Sequence, residues 1–137
     1  MTANHIIQLL KNSRTILLID WPDISVPLSL LKAGFKVISY SPDGYSRPRL
    51  VEGAGNKEKI VFENIDTAPD SVDIVNIFRP EEEHEEITAS HVLPLNAKAI
   101  WLHPPVVSSK TAELAAQYGL IFIEGRNIAL VAQELSS

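Results

Sequence analysis

Five short segments rich in apolar residues recur along the chain, and this recurrence most constrains the fold. The first, Thr15–Ile19, is apolar on both faces that a strand presents, which is typical of a strand buried inside a parallel sheet. Stretches with helical spacing of apolar residues separate the segments, and such alternation indicates right-handed crossovers. We therefore predict an α/β protein with a doubly wound parallel sheet of about five core strands. The predicted strands are Thr15–Ile19, Phe35–Tyr40, Val72–Phe78, Ala97–Leu102 and Leu120–Ile123.

The remaining segments predict helices and one long loop within a single domain, residues 1–137. A chain of 137 residues with 45% hydrophobic side chains suits one domain with a core of ordinary size. Residues 1–13 are expected to form an N-terminal helix packed on the domain. Residues 43–59 hold glycine, proline and charged residues without periodicity, which predicts a long surface loop before a short edge strand at 60–62. The other predicted helices are Val26–Lys32, one beginning at Pro80 and ending before Pro94, Ser109–Tyr118 and Ile128–Leu135.

The charge balance and the lack of cysteine narrow the classes of function. With 12 Lys and Arg against 17 Asp and Glu, the net charge is −5, whereas nucleic-acid and anionic-membrane binders need a basic face. The cysteine count of 0 excludes disulfides, zinc–thiolate sites and a cysteine nucleophile. No apolar run approaches the ~20 residues that span a bilayer, and residues 1–12 lack signal-peptide features. We expect a soluble, cytoplasmic protein without nucleic-acid or membrane partners.

A ligand site in a doubly wound sheet lies at the carboxyl ends of the strands, where the strand order switches. Five segments follow the predicted strands at that edge, and they carry the candidate functional residues. They are Asp20–Asp23, Ser41–Gly44, Arg79–Pro80, His103–Val107 and Glu124–Asn127.

The turn after the first strand, Asp20–Trp21–Pro22–Asp23, argues against an ordinary NAD or FAD site. Such sites need glycines that let the backbone approach a pyrophosphate and free N–H groups that bind it. Here there is no glycine, Pro22 lacks an N–H, and the two carboxylates repel phosphate. Trp21 is either a stacking platform for a planar group or a partly buried packing side chain.

Two further acidic patterns do not indicate a metal site. A receiver-type magnesium site needs an aspartate at the end of the third strand, but Asp73 begins that strand and cationic Arg79 ends it. Carboxylates from Glu81 to Glu86 open a helix, where the helix dipole favours them. His84 and His91 could share a helix face, but they lack HExxH spacing and a firm third ligand.

Arg79 and Arg126 both follow strands at the predicted ligand edge. Two arginines there could bind a phosphate or carboxylate through bidentate hydrogen bonds. Alternatively each pairs with a local acid, Arg79 with Glu82 or Glu83 and Arg126 with Glu124. The sequence leaves both interpretations open.

A set of segments in a fixed order carries a family resemblance. Residues Val72–Glu82 are similar to a VDIVDVFR-x-E signature, and Leu31–Ile38, Ala97–Leu102 and Ala115–Ile123 match at the expected spacing. Through these segments, from Leu9 to Ile128, the chain resembles the small stand-alone CoA-binding proteins. This Rossmann-type family is related to the CoA-binding domain of succinyl-CoA synthetase.

The resemblance implies a Rossmann-like fold and CoA held at three places. They are a Gly/Ser loop after the first strand, a Pro-Val-Asn-Pro turn after the second and a Phe-Arg end of the third. Phe78 and Arg79 match the third place, and Pro42 matches the last residue of the second. The family's Val-Gly-x-Ser loop is here Ile19–Pro22.

Two further loops differ from the family pattern. The Gln-x-Gly after the fourth strand is here His103–Pro105, and the Asp-Arg-Cys after the fifth is Gly125–Asn127, which keeps only the arginine. The candidate cofactor-binding residues are Asp20, Trp21, Pro22, Ser41, Pro42, Phe78, Arg79, His103, Pro104, Val106 and Arg126.

The resemblance implies a non-catalytic binding module for CoA, acyl-CoA or a related nucleotide. The alternative is a diverged member that has lost nucleotide binding and acts through protein contacts, as in a homodimer. A third option is an enzyme with His103 as general base beside Asp20 or Asp23. We expect no enzymatic activity, because the sequence assembles no convincing pair of nucleophile and base.

Overall fold

The computed structural model describes residues 3–42, 44–53, 55 and 58–135. Helices and strands alternate through most of this range, as the apolar segments predict. In chain order the elements are α1 (Ala3–Lys11), β1 (Thr15–Ile19), α2 (Ser25–Lys32), β2 (Lys36–Ser41), β3 (Gly44–Glu52), β4 (Glu58–Asn64), β5 (Ile74–Ile77), a 3₁₀ turn (Glu81–Glu83), α3 (His84–Ile87), a π-helical turn (Thr88–Val92), β6 (Ala99–Leu102), α4 (Ser109–Gln117), β7 (Ile121–Ile123) and α5 (Ile128–Leu135).

Across the described residues the strands form one seven-stranded sheet in the order β4-β3-β2-β1-β5-β6-β7. β1 lies between β2 and β5 and pairs with both in parallel, and β6 and β7 continue the parallel part. β3 and β4 join β2 as an antiparallel extension. The predicted Rossmann-like core of five parallel strands is confirmed.

β1 is buried on both faces because helices cover each side of the sheet. Ile16 and Leu18 pack in one apolar cluster with Leu10 of α1, Leu30 of α2 and Ala129 of α5. Leu17 and Ile19 face the opposite cluster, to which α3 and α4 contribute. Alternate strand residues point to opposite faces, so an all-apolar segment is required at this central position.

The start of β1 is tied to β5 through one carboxylate. Asp73 Oδ2 accepts the Arg14 N–H at 2.7 Å and the Thr15 N–H at 3.0 Å, and Lys98 Nζ lies 3.5 Å from Asp73 Oδ1. Partial burial raises the Asp73 pKa, but these hydrogen bonds and Lys98 outweigh it and leave the pKa lowered. Asp73 therefore lies at the amino edge of the sheet, opposite Asp20 at the end of β1.

The structure differs from the predicted surface loop over residues 43–59. Of this stretch, residues 43, 54, 56 and 57 lie outside the described residues, but Gly44–Glu52 and Glu58–Asn64 form an antiparallel hairpin. Arg49 pairs with Glu63 across the hairpin. Pro48 is tolerated because β3 pairs with β2 only at residues 44–46, which leaves this part of the strand bonded on one side.

Two helical predictions are confirmed in position and refined in detail. α1 buries Ile6, Leu9 and Leu10 against the sheet, within the predicted range 1–13, of which residues 1 and 2 lie outside the described part. The predicted acidic helix after Pro80 consists of the 3₁₀ turn, α3 and the π-helical turn. No helix among the described residues is long and apolar enough to cross a bilayer.

Alanine substitution of one buried and one exposed leucine tests the contribution of β1 packing to stability. We expect Leu18→Ala to lower the free energy of unfolding by about 2–5 kcal/mol, because it opens a cavity at a fully buried position. Leu130→Ala is the control, since Leu130 is 56% exposed, and should change stability by less than about 0.5 kcal/mol. Urea unfolding followed by circular dichroism measures both. Equal losses would contradict the assignment of β1 to the core.

Candidate functional site

The candidate site is a cleft where β1, β2 and β5 end. A cavity of about 290 Å³ opens there, beside the turn that leads into α3. Of the candidate cofactor-binding residues, Asp20, Ser41, Pro42 and Arg79 line it. The other lining residues, which were not among the candidate cofactor-binding residues, are Ile19, Tyr40, Glu83 and Ile87. The carboxyl edge of the sheet thus carries a cleft, as the fold predicts.

Asp20 has an unusual backbone conformation at the end of β1. Its φ is 64°, in the left-handed region that glycine favours and that aspartate tolerates better than most residues. Its Oδ1 accepts the Trp21 N–H at 2.8 Å. The turn therefore keeps a glycine-type backbone without a glycine, and the Asp20 side chain takes the backbone donor that follows it.

Arg79 is held between two carboxylates. Its Nη1 donates to Asp20 Oδ2 at 3.1 Å, and its Nη2 donates to Glu83 Oε2 at 2.7 Å. Nε lies 3.1 Å from both Glu83 oxygens. The hydrogen bonds that Arg79 donates to Glu83, and secondly to Asp20, raise the Arg79 pKa. Pairing with Glu83 was one of the two open interpretations, and Asp20 is an additional partner that the sequence did not suggest.

Trp21 is half-buried and packs against other side chains rather than lining the cleft. Its ring stacks on Phe62 of β4, with centroids 5.5 Å apart and planes inclined by 11°, and it also contacts the core cluster that contains α2. Of the two interpretations of Trp21, the structure supports the packing side chain. Pro22 beside it is exposed, and neither residue lines the cavity.

A second aspartate of the same turn, Asp23, accepts hydrogen bonds at the start of α2. Asp23 Oδ1 accepts the Ser25 N–H at 2.9 Å and also the Ser25 hydroxyl. These hydrogen bonds, the hydroxyl first, lower the Asp23 pKa. A backbone donor at the beginning of this helix is thus used internally.

Phe78 and His103 contact each other and do not line the cleft. Their rings meet edge to face at 5.8 Å, and His103 is 1% exposed. His103 Nδ1 lies 3.4 Å from the Asn76 amide nitrogen. Burial lowers the His103 pKa, and the Asp23 charge opposes this shift. Among the described residues His103 makes no hydrogen bond to Asp20 or Asp23, so the suggested dyad does not form in this conformation.

The other predicted residues do not join the cleft. Pro104 and Val106 belong to the turn after β6, in which the Val106 N–H donates to the His103 carbonyl at 3.0 Å. Arg126 lines a separate cavity with Glu124 beyond β7. The structure therefore does not bring Arg79 and Arg126 together around one ligand position.

Next to the cleft lies an aromatic cluster that the sequence did not predict. The Tyr45 hydroxyl lies 2.5 Å from His91 Nδ1, and the ring of Tyr40 lies 4.2 Å from His91 and 4.9 Å from Tyr45. Tyr45 lies on β3, which the sequence predicted as loop, so no local signal pointed to this contact. Burial raises the Tyr45 pKa, and the charge of Tyr40 adds to that rise.

The two helix histidines do not form a metal pair. His84 Nδ1 lies 2.7 Å from the Thr111 hydroxyl and its Nε2 lies 2.8 Å from the Arg79 carbonyl oxygen, whereas His91 contacts the tyrosines. Within the part of the chain that the structure describes, no three acidic or histidine side chains are grouped to hold a metal ion.

The sheet and its cleft define a single-domain Rossmann-like α/β protein. The chain belongs to the CoA binding domain family, whose family model matches residues 25–133. The matched segment begins after the turn that holds Asp20 and Trp21.

Solved structures share this fold at low sequence identity. One is cell-free ID.343 from Thermus thermophilus, with a TM-score of 0.71 and 18% identity over 98% of this chain and 99% of that one. A hypothetical protein from Pyrococcus horikoshii OT3 has a TM-score of 0.69 and 17% identity over 100% and 94%. Prb, a protein redesigned for binding, has a TM-score of 0.73 and 18% identity over 99% and 93%. These likenesses support the fold.

The His91 environment predicts a measurable pH dependence. Burial lowers the His91 pKa below 6.5, and the Glu86 charge only partly opposes this. The folded state thus disfavours the imidazolium, so its contribution to stability is present above the unfolded pKa and is lost as the pH falls below it. An NMR titration should place the midpoint of the His91 ring signal below 6.5. His91→Gln assigns the signal by its loss.

The same variant provides a second readout. Between pH 7.5 and 5, the free energy of unfolding of His91→Gln should fall less than that of the wild type. A titration midpoint at or above 6.5 would contradict the buried arrangement with Tyr40 and Tyr45.

Proposed function

We propose that the protein is a non-catalytic binding module whose ligand is CoA, acyl-CoA or a related nucleotide. The cleft lined by Arg79 at the carboxyl ends of β1, β2 and β5 is the observation that carries this proposal. Membership of the CoA binding domain family supports it. The ligand class is a small molecule with an anionic group and a flat or apolar part.

The chemistry of the cleft suits such a ligand. Tyr40 and Ile87 supply an aromatic and an apolar wall, Ser41 supplies a hydroxyl, and the Arg79 guanidinium presents several N–H donors in one plane. Pockets for small molecules combine mostly apolar walls with a few polar groups that fix orientation. Arg79 is the group that would meet a phosphate or another anion.

A non-catalytic role rests on the surroundings of His103. Its ring is buried, and its nearest polar partner is the Asn76 amide rather than a carboxylate. A general base must reach the proton that it removes, and a histidine in this position serves packing instead. Turnover of an acyl-CoA that His103→Gln abolishes would contradict this part of the proposal.

Calorimetric titration with CoA tests the ligand assignment. We expect the wild type to bind CoA, and Arg79→Gln to weaken the affinity by about tenfold because a charge-assisted contact is lost. Arg49→Gln is the matched control: Arg49 also pairs with a glutamate, but it lies on the exposed hairpin. This control should bind CoA as the wild type does.

One outcome would overturn the CoA assignment, and another would overturn the placement of CoA in this cleft. One is the absence of heat at millimolar CoA from the folded wild type. The other is an equal affinity in the wild type and Arg79→Gln, once circular dichroism has shown that both are folded. The second outcome would move the ligand away from this cleft.

A second candidate is a family member that acts through protein contacts, including a homodimer. The observation that favours it is the internal use of anion-binding groups, since carboxylates of the chain already hold Arg79 and the backbone donors of Trp21 and Ser25. Exposed Ile24 and Val107 lie in loops at the same edge of the sheet. Sedimentation velocity separates the dimer from the monomer, and a monomer mass at every concentration would contradict the homodimer.

A further inference from the structure

Two donors from distant parts of the chain converge on the carboxylate of Asp20. The Trp21 N–H lies 2.8 Å from Oδ1, and Arg79 Nη1, 59 residues along the chain, lies 3.1 Å from Oδ2. A backbone amide in a strand-end turn and a guanidinium are the groups that bind anionic oxygens of phosphorylated ligands. Here one side chain of the protein engages both.

The position of Asp20 suits this role because its carboxylate borders the cleft. Asp20 and Arg79 both line the cavity, and their side chains are 45% and 41% exposed. An ion pair with this much exposure contributes little to stability, so an incoming ligand can separate it. The Asp20–Arg79 ion pair can therefore open and close reversibly at the wall of the cleft.

Glu83 is the second carboxylate that pairs with Arg79. It accepts from Nε and Nη2, while Asp20 accepts from Nη1, so one guanidinium faces two carboxylates. The cluster therefore carries net negative charge where the cleft presents its cation. A phosphate that approaches Arg79 must displace a carboxylate or share the guanidinium with one.

We propose that Asp20 determines specificity in this cleft, as a built-in anion that competes with the phosphate of a ligand for Arg79 and the Trp21 amide. This inference rests on the proposed function of the cleft and adds the residue that sets its preference. Asp20 lowers the affinity for phosphorylated ligands while leaving the affinity for their unphosphorylated counterparts nearly unchanged. The apparent affinity for phosphate is the intrinsic affinity multiplied by the fraction of molecules in which the Asp20–Arg79 ion pair is open.

Two variants of Asp20 remove the competitor without disturbing the turn. Asp20→Asn takes away the charge, and Asp20→Gly takes away the side chain. Both replacements tolerate the φ of 64° found at this position. Asp23→Asn is the matched control, because it removes the same charge from the same turn and its carboxylate accepts from Ser25 rather than from Arg79.

Calorimetric titrations with ADP and with adenosine provide the test. We expect ADP to bind Asp20→Asn and Asp20→Gly about five- to tenfold more tightly than the wild type. Adenosine should bind all of these proteins within about twofold, since it brings no anion. Asp23→Asn should resemble the wild type for both probes.

The outcomes separate this inference from the proposed function. Equal ADP affinity in the wild type and both Asp20 variants overturns the inference but leaves the cleft as a nucleotide site. A comparable gain in Asp23→Asn also overturns it, because the effect would then come from net charge. ADP binding by the Asp20 variants alone supports the inference and counts against nucleotide binding by the natural chain. The absence of ADP binding in every folded variant overturns the inference, whereas the CoA titration of the wild type decides the proposed function.

Discussion

The pairing of β1 with strands on both sides, together with burial of both its faces, is the constraint on which the rest of the structure depends. β1 joins β2 and β5 in parallel, and its side chains enter both apolar clusters. Asp73 holds its amino end through two backbone N–H groups. A strand confined in this way ends at a defined place, so Asp20 reaches the cleft beside the ends of β2 and β5.

The chain belongs to the CoA binding domain family, but the charged residues beside the end of β1 distinguish its cleft from an open phosphate-binding turn. A phosphate-binding turn leaves backbone donors and cations available to a ligand. In this chain Asp20 and Glu83 hold Arg79, and Asp23 takes the donors of Ser25. The cleft presents an arginine that suits an anionic ligand, and under the proposed function such a ligand replaces the internal partners of that arginine.

Sequence periodicity was sufficient for the parallel core and insufficient for the antiparallel hairpin. The core strands are continuous apolar segments, a local pattern that a buried strand requires. Gly44–Glu52 contains a glycine, a proline and two arginines, which are typical of loops, yet it forms a strand because β2 and β4 pair with it. Pairing with both neighbouring strands outweighed local propensity, because strand propensity depends strongly on context.

The candidate site likewise combines features that the sequence predicted with contacts that it did not predict. The sequence alone predicted the order of the five parallel strands and the helices between them. It also predicted that Asp20, Ser41, Pro42 and Arg79 lie at the ends of these strands. These features depend on local hydrophobic pattern and on the general topology of doubly wound sheets. Only the tertiary structure decided the partners: Asp20 with Arg79, Trp21 with Phe62, and Tyr45 with His91. Each pair joins residues more than 40 positions apart, so its distance depends on strand order and packing rather than on any neighbouring sequence.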